Sequence, residues 1–179
     1  MTIPVVMRDP LAEFLGAAEG GWLEYSYADA VKLTGHSCPT VAGAYLATTD
    51  ALARLYPGEL PERGAIRVEL RGGVEEGVTG VVASVASLIT GAAAEGGFKG
   101  IAGRFARRGL LQFGAPIAAD LRFTRLDTGA SVEIDLRHAA PSPELVAALR
   151  QALSPDAPAE ERKAFARAWQ ARVAGMLAP

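Results

Sequence analysis

Hydrophobic residues recur at helical spacing over residues 9–20, where Leu11, Phe14, Leu15 and Ala18 share one face. Asp9 followed by Pro10 reads as an N-cap and a first helical residue, and Gly20-Gly21 as the stop. Residues 24–33 read as a shorter helix or turn ended by Gly35. The strongest helical pattern follows over residues 39–56, carrying Val41, Ala44, Tyr45, Leu46, Leu52 and Leu55, and stops at Pro57-Gly58. Over residues 65–70 the period changes to two: Ile66, Val68 and Leu70 alternate with Arg67 and Glu69, a strand with one buried face. A helix of small residues is expected over 79–90 and a glycine-flanked strand over 98–105. Residues 110–113, 118–124 and 131–136 read as consecutive strands, the last two joined through Asp127-Thr128-Gly129. Helices close the chain over 143–153 and 159–177. In the last, Phe165, Trp169, Val173 and Met176 form a stripe suited to a core or a dimer seam. Runs of strands bounded by helices, without strict alternation, predict an α+β fold with a mixed or antiparallel sheet packed on helices.

The chain has 179 residues, half of them hydrophobic, which suits one domain (1–179) with a sizeable core. A net charge of −2 gives no electrostatic case for nucleic-acid binding. Residues 77–94 carry no charge over 18 positions. Their Gly, Ala, Ser, Thr and Val content fits a closely packed buried helix better than a membrane span. The N-terminal residues lack a basic segment followed by an apolar one, so the expectation is a cytoplasmic protein without a leader. One cysteine forms no internal disulfide.

Candidate chemistry concentrates in Gly35-His36-Ser37-Cys38-Pro39, which holds the single cysteine and one of two histidines at the entrance to the strongest helix. Pro39 suits the first turn, and Cys38 would sit at the positive helix end that favours a thiolate. A thiolate beside an imidazole serves as part of a soft-metal site or as a nucleophile with its base. It is also the composition of a small buried hydrophobe beside a hydrogen-bonded structural histidine. Tyr25 and Tyr27 are close enough in sequence to line the same pocket. Glu75, Glu76 and His138 are further metal-ligand candidates, and Arg104, Arg107 and Arg108 are either a solvated edge or an anion clamp. No P-loop, dinucleotide fingerprint, serine-hydrolase elbow or H-E-x-x-H run is present.

The run Gly35-His36-Ser37-Cys38-Pro39-Thr40, followed by Gly43 and Ala44, resembles the G-H-x-C-P-G motif of the FmdE-like family of formylmethanofuran dehydrogenase components. The similarity continues through Ala51-Leu52-Ala53-Arg54-Leu55, Gly73-Val74-Glu75-Glu76, Ile89-Thr90-Gly91 and Gly96-Gly97-Phe98-Lys99-Gly100. It covers a core of about residues 27–113, with a hairpin and helices following over 118–177. The resemblance implies an α+β metal-binding domain with His36 and Cys38 as ligands, zinc or another transition metal as cofactor, a homodimer, and a redox enzyme as partner. Thr34 stands where the family often has a second His, so Glu75, Glu76, His138, a tyrosine, water or an added cofactor would complete the site. A haem held by His36 or Cys38 is the alternative, with space at Gly43, Ala44 and Ala47, Tyr25 and Tyr27 lining the pocket and Arg104 meeting propionates. A Cys38-dependent enzyme with His36 as base is the third reading.

Overall fold

The computed structural model describes residues 4–136 and 140–178. The fold is α+β. A two-stranded antiparallel ribbon pairs β1 (Val5–Arg8) with β2 (Trp22–Tyr25). The main sheet has the order β4-β3-β5-β6, built from Leu111–Gln112 (β4), Ile66–Leu70 (β3), Leu121–Arg125 (β5) and Ser131–Ile134 (β6). Strand β3 pairs parallel with β4 and antiparallel with β5, and β5–β6 is the expected hairpin.

The strongest helical pattern becomes the central helix α3 (Pro39–Leu55), which buries Val41, Ala44, Tyr45, Ala47, Ala51 and Leu52. The uncharged stretch becomes α4 (Thr79–Thr90), whose small residues Ala83, Val85 and Ala86 let it lie close against α3. Both helices pack on the apolar face formed by Ile66, Val68, Leu121 and Phe123. No described helix is long and apolar enough to cross a membrane. Helix α2 (Tyr27–Thr34) precedes α3, and Gly35 ends it in the left-handed conformation with φ 75°. Helices α5 (Pro143–Ala152) and α6 (Ala159–Leu177) follow the sheet; α6 lies against both α5 and α3. Val173 of the expected stripe is buried, while the Phe165 and Trp169 rings meet in a tilted contact at 5.6 Å.

Three expectations fail. The helix over 9–20 is cut to α1 (Pro10–Phe14), because Gly16 turns left-handed and its apolar face is covered only in part: Phe14 meets the Phe105 ring at 5.4 Å, yet Phe14 and Leu15 stay exposed. The helix or turn expected over 24–33 starts later, at Tyr27, because Glu24 and Tyr25 belong to β2, which alternates exposed Trp22 and Glu24 with half-buried Leu23 and Tyr25. The strand over 98–105 is absent. Left-handed backbone at Gly100, Ala102, Gly103 and Phe105 curls it into a loop, with one bridge between Ile101 and Arg104. The outward position Glu69 is also buried, which its two bonds from Arg122, at 2.8 and 2.6 Å, make tolerable.

Candidate functional site

The His-x-Cys run sits at the α2–α3 junction. Gly35 reverses the chain after α2, so His36, Ser37 and Cys38 occupy the short connection. Cys38 is the N-cap of α3: its backbone is extended, and its Sγ accepts from the Val41 N–H at 3.5 Å. The thiol is half-buried against the core.

His36 is exposed, and its Nδ1 lies 2.9 Å from the Thr34 carbonyl. A carbonyl only accepts, so Nδ1 carries the proton in this contact. The neutral ring then has its lone pair on Nε2, the arrangement found in metal-bound histidines. No hydrogen bond joins His36 to Cys38, so the base–nucleophile contact that a Cys-dependent enzyme needs is not formed.

The connection is clamped from both sides. The Tyr27 hydroxyl and Ser37 Oγ are 2.9 Å apart, and burial raises the Tyr27 pKa against the lowering effect of that bond. From the C-terminal end of the chain, Trp169 Nε1 donates to the Ser37 carbonyl at 3.0 Å, and Gln170 Nε2 to the same oxygen at 3.1 Å. Helix α6 therefore covers the motif, a contact without any local sequence signal.

The other expected site residues lie elsewhere. Glu76 folds back on its own loop, accepting from the Gly73 N–H at 3.0 Å, and Glu75 is exposed. His138 lies outside the described residues. Among the described residues, no three His, Cys, Asp or Glu side chains form a group able to hold a metal ion. A closed tetrahedral zinc site is not built by this chain's described residues. The space expected for haem at Ala44 and Ala47 is filled by core packing. Arg104 lines a different cleft, together with Arg8, Arg63 and Arg107. Tyr25 does not line the motif either: the Arg63 guanidinium lies 5.6 Å from its ring centre, and its carbonyl accepts from the Tyr45 hydroxyl. Burial raises the Tyr25 pKa, and the Arg63 charge opposes it.

That cleft rests on a buried charge cluster. Asp9 takes Arg107 Nη2 at 2.6 Å and Arg63 Nη1 at 2.9 Å while capping α1 through the Leu11 and Ala12 N–H groups. Asp9 and Arg107 are both buried. The Asp9-Pro10 pair marks the cap in the sequence, but nothing local marks the two arginines. No family description, curated protein or solved structure compared with this chain matches it.

Proposed function

We propose that the chain is a metal-binding protein that presents His36 Nε2, with Cys38 beside it, at the start of α3. The observation that carries this reading is the Nδ1 contact to Thr34 O at 2.9 Å, which leaves Nε2 as the free donor. The resemblance to the FmdE-like motif of formylmethanofuran dehydrogenase components supports the same two ligands. Imidazole and thiolate together suit zinc or another late transition metal. With two donors from one chain, the coordination stays open, and a second copy of the chain would complete it in a homodimer. In a bound state, His36 would hold the metal at Nε2 while Thr34 keeps the ring oriented. Cys38 would have to loosen its contact to Val41 N–H as its thiolate turns to the metal.

Elemental analysis of chelator-treated protein re-exposed to zinc tests this, comparing wild type with His36→Ala and Cys38→Ala. Wild type is expected to retain about one metal per chain or per two chains, and both variants are expected to lose it. Equal retention in all three would refute the reading. Sedimentation with and without metal reads out the shared site, since a metal-bound monomer would exclude it.

A further inference from the structure

The cleft lined by Arg8, Glu62, Arg63, Arg104, Phe105 and Arg107 has a volume of about 450 Å3 and contains neither residue of the His-x-Cys motif. Its four guanidinium groups face one lining carboxylate, Glu62. Their partners are unevenly distributed. Arg8 is held by Glu13 at 2.7 Å and Glu62 at 3.6 Å, and Arg63 by Asp9 and the Leu88 carbonyl. Arg104 makes no ion pair among the described residues; its guanidinium stacks 4.7 Å from the Phe105 ring centre.

Arg107 is the decisive residue. Its side chain is 8 % exposed, yet only Nη2 is paired, and Nε and Nη1 have no hydrogen-bond partner. Asp9 cannot serve them. Its Oδ1 already takes Arg107 Nη2 and two backbone N–H groups, and its Oδ2 takes Arg63. A buried guanidinium with two nitrogen atoms left without an acceptor is costly, and such groups point to an absent acceptor.

The surroundings keep this guanidinium in place. Gly64, with φ +89°, has no side chain where a Cβ would fall 1.7 Å from Arg107 Nη1, and a Cβ on Gly91 would meet the same atom at 2.9 Å. Gly64 and Arg107 both line the cleft, so the guanidinium is packed against the backbone of its wall. Phe105 adopts φ 64°, a conformation that bulky residues rarely take and that concentrates at ligand sites.

We propose that this cleft binds a small molecule through an oxyanion, a carboxylate or a phosphate, with buried Arg107 in its wall and exposed Arg104 as the clamp. Guanidinium forks pair with both groups in bidentate geometry. Phe105, stacked beneath Arg104, gives the ligand an apolar wall.

Titration calorimetry on metal-free protein tests the site, using inorganic phosphate and succinate in turn at constant ionic strength. One of the two probes is expected to bind saturably at millimolar concentration or below, and which one does identifies the oxyanion. Arg104→Ala, an exposed position whose loss leaves the Asp9 cluster intact, is expected to weaken binding about tenfold. Arg104→Lys, which keeps the charge and loses the fork, is expected to fall between. His36→Ala is expected to bind as wild type does, which separates this site from the metal reading. Absence of saturable binding of either probe would overturn the proposal. So would equal affinity in Arg104→Ala, or loss of binding in His36→Ala.

Discussion

Asp9 shows how much one side chain carries. Burial alone would raise its pKa, but hydrogen bonds from Arg63 and the Ala12 N–H, with the charges of Arg107 and Arg63, hold it below the ordinary carboxylate value. Its stabilising contribution is therefore complete above about pH 4, the unfolded carboxyl pKa, and is lost as pH falls through the lower folded value. Asp9→Asn leaves two guanidinium groups without their anion and is expected to cost about 3–5 kcal/mol at neutral pH. Urea unfolding at pH 7 and pH 3 checks this: the gap between wild type and variant should shrink on acidification, and a constant gap would contradict it. The sequence shows half of this residue's role. Asp before Pro is a local signature of a cap, whereas Arg63 and Arg107 are 54 and 98 residues away, and periodicity carries no trace of such partners.

At the scale of elements, legibility follows what sets each boundary. Helix α4 matches its expected span because Gly91 stops it and a continuous small-residue face packs it. Helix α3 also matches, because Pro39 and Cys38 open it and its apolar face is wide. The 98–105 segment fails because its conformation comes from left-handed residues, two of them not glycine, that propensity does not announce. Helix α1 fails because an apolar stripe is only as good as the surface available to cover it. The close packing of α3 makes a definite prediction. Ala44 is completely buried, so Ala44→Leu forces extra methylenes into a filled space and is expected to lower stability by about 1–3 kcal/mol. The check is a lower urea midpoint at unchanged denaturant slope. No change in midpoint would mean that α3 can move away from its neighbours.

Across the whole molecule, the chain returns to its own motif. Helix α6 is legible as a helix, and its stripe reads equally as core or dimer seam. What the stripe omits is that Trp169 and Gln170 reach a carbonyl 132 and 133 residues back, in the middle of His36-Ser37-Cys38. A polar contact between a helix and a loop so distant leaves no periodic signature. It does couple the end of the chain to the candidate ligands, because Trp169 holds the peptide that joins Ser37 to Cys38. The molecule therefore carries its own optical reporter. Of its two tryptophans, Trp22 is 63 % exposed and lies on the β1–β2 ribbon, so Trp22→Phe removes it with little structural cost and leaves Trp169 as the sole indole emitter. In that variant, copper(II) bound at His36 is expected to quench the emission strongly, and zinc, which has no low-lying electronic states, to shift it without quenching. Unchanged emission on binding would show that the indole and the ligands are uncoupled.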